Sequence, residues 1–402
     1  MFLYSDEGLN NQITKPLLLS QRNAHGGGIY AVAWSGDGKK LLSASGDKSC
    51  KLWDVETRKA ITTFEMGQSV EDQQLGCLWS GDFLLSVSLS GYINYLDPSS
   101  PSKPSRILKG HNKPITKMCV SNEGKTIITG GSDGRVIEWS AADGITRSVG
   151  GDGHGSQING LAPAKANKAI ASVGLDDSLR FIDQDTVTYS SSVPPLKLKS
   201  QPRGVHNEGE LTAIASLDSV MLVKSGSVLQ DEKVDYEPSC ISISKNLESL
   251  AVGDSGQDKS IHIYEINGGQ SMTMKKKIML TGPVTDLAFS PDGKYLVAAD
   301  GNRKVSLFKT DSDYEKGNPR EWGFHTARVN CIGWSPDSNF VASGGLDCSI
   351  IVWSVQQPEK HLIIKSAHVQ SQITGIKWLD GNTVVSCGQD GNVKTWDINW
   401  QN

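Results

Sequence analysis

The stretch that decides the fold reads His325-Thr-Ala-Arg-Val-Asn-Cys-Ile-Gly-Trp-Ser-Pro-Asp337 and then, after a short apolar run, Gly344-Gly-Leu-Asp-Cys-Ser-Ile-Ile-Val-Trp353. Four residues in it set a ruler. Asp347 follows His325 by 22 residues, Ser343 precedes that Asp by four, and Trp353 follows it by six. The same ruler fits His25, Ser43, Asp47 and Trp53. It fits His111, Thr129, Asp133 and Trp139, with Thr as the hydroxyl, and again His368, Ser386, Asp390 and Trp396. A degenerate copy lies at His154, Ser172 and Asp176, with Phe181 near the Trp position.

Between His and Trp lie three short β patterns. Val329–Trp334 alternates, Ser335-Pro336-Asp337-Ser338 turns the chain, 340–344 is a strand of small residues, and 349–355 is an apolar strand after the Leu346-Asp347 turn. Strands this short, with turn residues every eight to twelve positions, predict an antiparallel meander. A buried His can accept from a Ser hydroxyl and donate to an Asp, and a Trp N–H can complete the set. Such a network ties the turn to the neighbouring strands.

The His-to-His intervals count the units. His25 to His111 is 86 residues, His111 to His154 and His325 to His368 are 43 each, and His154 to His325 is 171. Nine units of about 43 residues follow, five with a recognisable His and four without. Unit two lacks both His and Asp. Unit five, about 201–234, is weakly patterned, with strands at 211–215 and Val220–Lys224. Unit nine ends after its third strand. An open sheet edge is an aggregation template, so a strand from earlier in the chain is expected to close it; 105–108 and 13–20 are the two candidates.

Trp53-Asp54, Trp396-Asp397 and the Gly110-His111 pair resemble the WD-repeat family, whose period of about 40–45 residues indicates a β-propeller. Nine blades suit one ring poorly, and seven plus two is the better division. Stretches beyond the generic repeat resemble the actin-interacting protein 1 family: Asp72-Gln-Gln-Leu-Gly-Cys-Leu-Trp79, residues 84–97, and Trp322-Gly-Phe-His-Thr-Ala-Arg-Val329. That resemblance implies two propellers in tandem, binding to actin filaments, and filament disassembly together with ADF/cofilin. It also implies further blades ahead of unit one, where this chain has a 24-residue lead-in. The expected fold is therefore all-β: a lead-in at 1–24 with one strand pattern, two blades of a truncated first propeller at 25–108, and a seven-bladed WD-repeat propeller at 109–402. Two blades bury their flanks poorly, so units one and two are expected either to dock on the second propeller or to leave apolar faces exposed.

Composition narrows the function. The chain has 402 residues, 37% of them apolar, and a net charge of −4, which argues against a nucleic-acid partner. Seven Cys are scattered singly with no Cys-x-x-Cys, as expected of reduced thiols in the cytoplasm. No run approaches a membrane span and the N-terminus is not a secretory signal. Ser, His and Asp together suggest nucleophilic chemistry, but an enzyme does not need its triad at blade period, so the sets read as structural. No His pair has zinc-site spacing; neither metal nor cofactor is expected. Gly26-Gly27-Gly28 precedes a strand and lacks the Gly-Lys-Ser/Thr of a phosphate loop, so it reads as a turn. Lys275-Lys276-Lys277 reads as a solvated loop.

The stretch 314–324 is long for a connector and mixes Tyr314, Arg320, Trp322 and Phe324 with charges. Aromatics with Arg are what protein interfaces use. Arg320, Trp322, Phe324, Arg328 and Lys113 are the candidate partner-binding residues, with packing of Trp322 as an outer strand as the alternative. The functional expectation is a non-enzymatic actin-filament-binding protein of the actin cytoskeleton. The competing expectation is a generic propeller adaptor whose actin activity went with the missing blades.

Overall fold

The computed structural model describes residues 24–164, 168–318 and 322–400, together with the short strands Phe2–Leu3 and Leu19–Ser20, which pair antiparallel. The remainder of the expected 13–20 strand lies outside the described residues. Contacts divide the chain into two units, Met1–Asn112 and Lys113–Asn402.

The first unit holds two four-stranded antiparallel sheets. Sheet one is Ile29–Trp34, Lys40–Ser45, Ser49–Asp54 and Ala60–Glu65. Sheet two is Gln74–Ser80, Phe83–Ser88, Ile93–Leu96 and Arg106–Leu108. Leu42, Ala44, Cys50 and Leu52 of the first share one core with Leu84 and Leu96 of the second. Tyr30, Val32 and Trp34, the alternate positions of the first strand, are exposed. The candidate closing strand at 105–108 is corrected here. Arg106 to Leu108 pair with Tyr95 to Ile93, because the Asp97 turn, capped by Ser99, folds the chain straight back onto its own sheet.

The second unit is a ring of seven sheets. Their inner strands are Ile115–Ser121, Ile158–Ala164, Pro202–Glu208, Pro238–Ile243, Val284–Phe289, Val329–Trp334 and Ile373–Trp378. They open blades three to nine in chain order. Blades three to eight carry four or five strands; blade nine has three among the described residues. The apolar cores lie between blades. Cys331, Ala342 and Val352 of blade eight pack on Ile373, Ile376 and Val384 of blade nine. The last core joins Val385 and Cys387 of blade nine to Ile115, Met118 and Ile127 of blade three, which closes the ring.

A second device repeats around that ring. Every inner strand bulges between its first and third residues. In five blades the bulged side chain donates to the first carbonyl of the next inner strand: Thr116 to Ile158 at 2.6 Å, Asn159 to Pro202 at 2.8 Å, Ser239 to Val284 at 2.7 Å, Asn330 to Ile373 at 2.9 Å, and Thr374 back to Ile115 at 2.7 Å. A bulge re-aims the side chain toward the neighbouring strand, and a short polar residue there satisfies a buried carbonyl. Inner strands crowd closely at Gly333, where an added Cβ would lie 2.8 Å from the Ile376 carbonyl oxygen.

Two expectations change. Lys275-Lys276-Lys277 is no loop but part of Ser271–Met279, the outer strand of blade six, where Lys276 pairs with Asp313 at 2.7 Å and Lys277 with Asp258. Lysines on an edge strand oppose sheet-to-sheet aggregation. Unit five has a full inner strand, Pro202–Glu208, hidden in the sequence because His206 and Asn207 break its apolar alternation.

Candidate functional site

The His, Ser, Asp and Trp side chains meet where the turn after the second strand of a blade reaches the loop leading into the first. In blade eight His325 Nδ1 lies 3.0 Å from Asp347 Oδ2, its Nε2 lies 2.8 Å from Ser343 Oγ, and Trp353 Nε1 donates to the same Oγ at 2.8 Å. The carboxylate also accepts from Thr326 N at 2.8 Å. A proton on Nδ1 is the tautomer that satisfies every atom: Nδ1–H donates to Asp347, and Nε2 accepts from the Ser343 hydroxyl. Sheet one repeats this geometry with 2.8, 2.7 and 2.8 Å at His25, Asp47, Ser43 and Trp53. Blade nine repeats it with 2.9 Å for each contact at His368, Asp390, Ser386 and Trp396.

In blade three Trp139 Nε1 donates to Thr129 Oγ1 at 2.7 Å. Asp133 Oδ1 accepts from Arg135 N, and His111 falls in the first unit. In blade four His154 bonds Asp176 at 2.8 Å and Ser172 at 3.0 Å, and Tyr189, edge-on to the imidazole at 6.0 Å, fills the space a Trp takes elsewhere.

Electrostatics agree with a structural role. Burial holds the imidazoles of His25, His154 and His368 below the usual histidine range, outweighing the upward pull of the partner carboxylate. Burial pushes Asp47 up, but donation from Ser49, the Gly26 amide and His25 holds it at about 2. Ser43, Ser172, Ser343 and Ser386 are fully buried, so no substrate reaches their hydroxyls. Burial also pushes the thiols of Cys119, Cys240 and Cys387 up to about 12, which makes them inert.

Three blades use other chemistry that the ruler cannot find. In sheet two Asn94 Nδ2 donates to Ser86 Oγ and Gln74 Oε1, a neutral network in place of His and Asp. In blades six and seven the acid moves to the end of the second strand. Asp254 pairs with Pro238, and Asp300 with Val284, in the register position that Gly345 holds opposite Val329. Asp300 accepts from Thr281 Oγ1, Asn302 N and Lys304 N, each at 2.9 Å. Beside Asp254, Ser260 Oγ lies 3.0 Å from His262 Nε2, and Tyr236 stacks on the imidazole at 3.6 Å. Ser260 is fully buried and both contacts fall on one nitrogen, so this is packing rather than a catalytic relay.

The candidate partner-binding residues divide. Trp322 is corrected: it is only 2% exposed. Its backbone bridges Val305, its ring stacks on Trp353 at 5.2 Å, and its Nε1 donates to Pro358 O at 2.9 Å. It completes the outer edge of blade seven instead of meeting a partner. Phe324 is 56% exposed and stacks on His361 at 3.8 Å. Arg328 is exposed, and its Nε donates to Asn330 Oδ1 at 2.9 Å. Lys113 is exposed ahead of blade three, separated from this loop by blade nine. Arg320 lies outside the described residues. Sequence reading missed that Arg328 faces the blade-seven turn across an open concavity of about 420 Å³, lined also by Thr281, Asn302, Arg303 and Lys304.

Comparison with known proteins fits this architecture. The family described as WD domain, G-beta repeat matches residues 17–54, 102–140, 274–309, 319–354 and 359–397. The chain is 47% identical to actin-interacting protein 1 of Drosophila melanogaster over 93% of its length and 61% of the relative's. It is 40% identical to WD repeat-containing protein 1 of Xenopus tropicalis over 95% of this chain and 63% of the relative, and 39% identical to that of Gallus gallus over 96% and 63%. It thus spans about three fifths of the length of these relatives. With its repeat matches, its ring of antiparallel blades and this similarity, the chain belongs to the WD-repeat β-propeller proteins.

Proposed function

We propose that this chain is a non-enzymatic actin-filament-binding protein of the cytoplasmic actin cytoskeleton that promotes filament disassembly together with ADF/cofilin. The observation that carries the reading is the 47% identity, over 93% of the chain, to a protein named for its interaction with actin. The ADF/cofilin step follows from the resemblance of residues 72–79, 84–97 and 322–329 to that family. We further propose that 25–108 are two blades of a first propeller and that 109–402 act as the second. The mechanism is recognition by a rigid ring. Inter-blade hydrogen bonds and the buried His–Asp sets hold the connecting loops in place, so little conformational entropy is lost on docking.

A time course of filament mass tests this. Filaments with ADF/cofilin and this chain are expected to lose mass faster than filaments with ADF/cofilin alone. Identical time courses would leave the adaptor reading in place.

A further inference from the structure

We infer that the concavity between blades seven and eight is a docking site for an acidic peptide segment of a protein partner, with Arg303 and Arg328 holding its carboxylates. The inference rests on the reading of the chain as a partner-binding propeller. It starts from a contrast in charge. The chain carries a net −4, yet this one opening of about 420 Å³ is lined by Arg303, Lys304 and Arg328. Two acids of blade seven, Asp286 and Asp300, are turned inward. Asp300 is 3% exposed and spends its oxygens on Thr281, Asn302 and Lys304 donors, and Asp286 Oδ2 accepts from Ile332 N at 2.9 Å. Among the described residues neither Arg303 nor Arg328 is in an ion pair with an acid, and both are exposed.

The walls are fixed before a ligand arrives. Asn302 Nδ2 donates to the Thr281 carbonyl at 2.6 Å and so ties the blade-seven turn to the loop that enters the blade. Arg328 is held through Nε by Asn330, which is itself anchored to the Ile373 carbonyl at 2.9 Å. A guanidinium held by one of its five donors presents its remaining edge as a fork for a carboxylate. The two arginines come from different blades, which suits carboxylates spaced along an extended chain better than one compact anion. Arg303 sits at φ +70°, so its replacement must tolerate a left-handed backbone; Asn does.

The test is fluorescence anisotropy of a short fluorescein-labelled peptide alternating Glu and Gly. It is run with the wild-type chain, with the double variant R303N/R328Q, and with R303K/R328K, which keeps the charge. Exposed charge pairs are individually weak, and loss of two is expected to weaken binding about tenfold. The Lys variant should keep most of the affinity, and added salt should weaken the wild type. Both variants should melt at the wild-type temperature. Equal peptide affinity for wild type and R303N/R328Q overturns the inference. So does capture of phosphoinositide vesicles without peptide binding. The same proteins are then pelleted with actin filaments. If the peptide result holds but wild type does not pellet, the docking site stands and the actin reading falls.

Discussion

Replacing Ser343 by Ala isolates what one buried His–Ser–Asp–Trp set contributes. The substitution removes a single oxygen and leaves no cavity of note. That oxygen accepts from Trp353 Nε1 at 2.8 Å and bonds His325 Nε2 at 2.8 Å. Ser343 and Trp353 are fully buried and His325 is 2% exposed, so water does not replace the lost partner. Two polar atoms are orphaned, each at about 1–3 kcal/mol. The expected loss is therefore about 2–6 kcal/mol, roughly 3–10 °C in melting temperature for a unit of this size. Ser386→Ala is the internal comparison. Its geometry matches, but Trp396 is half-buried, so water reaches the indole N–H and the loss is smaller, about 1–2 kcal/mol. Urea unfolding of both variants, followed by tryptophan fluorescence, reads the order. A Ser343→Ala loss under about 0.5 kcal/mol, or a larger loss for Ser386→Ala, would refute the claim that desolvated hydrogen bonds hold these turns.

Three further predictions follow from the same contacts. His25, His154 and His368 titrate below the ordinary histidine range because they are buried, so the stability their neutral form supplies is complete above about pH 6.5 and is lost as pH falls below it. The Asp47 contribution, complete above its unfolded value, fades as pH falls toward about 2. Hydrogen exchange, corrected for intrinsic rate, should speed up at the Asp47, Asp176 and Asp390 turns between pH 7 and pH 5; slower exchange at pH 5 would contradict the sign. Gly333→Ala should destabilise by about 2 kcal/mol or more, because its Cβ meets backbone at 2.8 Å, whereas Gly323→Ala, with open space around it, should melt within a degree or so of wild type. Trp322→Ala should cost about 3–5 kcal/mol, while Phe324→Ala, 56% exposed, should cost little; thermal melts that reverse this order would restore Trp322 as a surface anchor.

The ring was legible wherever chemistry recurs at fixed spacing. The interval from His325 to Asp347 is set by two strand lengths and a turn, so any unit using those residue types declares itself. Sheet two and blades six and seven solve the same problem with Asn94 and Gln74, Asp254 and His262, or Thr281 and Asp300. Changing the residue type or moving the acid two positions along the strand erases the ruler without changing the fold. Trp322 stood as a partner-binding candidate with outer-strand packing as the alternative; the bridge to Val305 and the Trp353 face decide for packing, through contacts that local sequence does not carry. The concavity was hidden for a related reason. Arg303 and Arg328 are 25 residues apart and meet only because adjacent blades pack side by side.

The most direct test of the account is co-sedimentation of this chain with actin filaments, with and without ADF/cofilin. The account predicts that it enters the pellet with the filaments, more so when ADF/cofilin decorates them, and that pelleted actin then declines. A chain that remains in the supernatant under both conditions, while melting as a folded propeller, would contradict it.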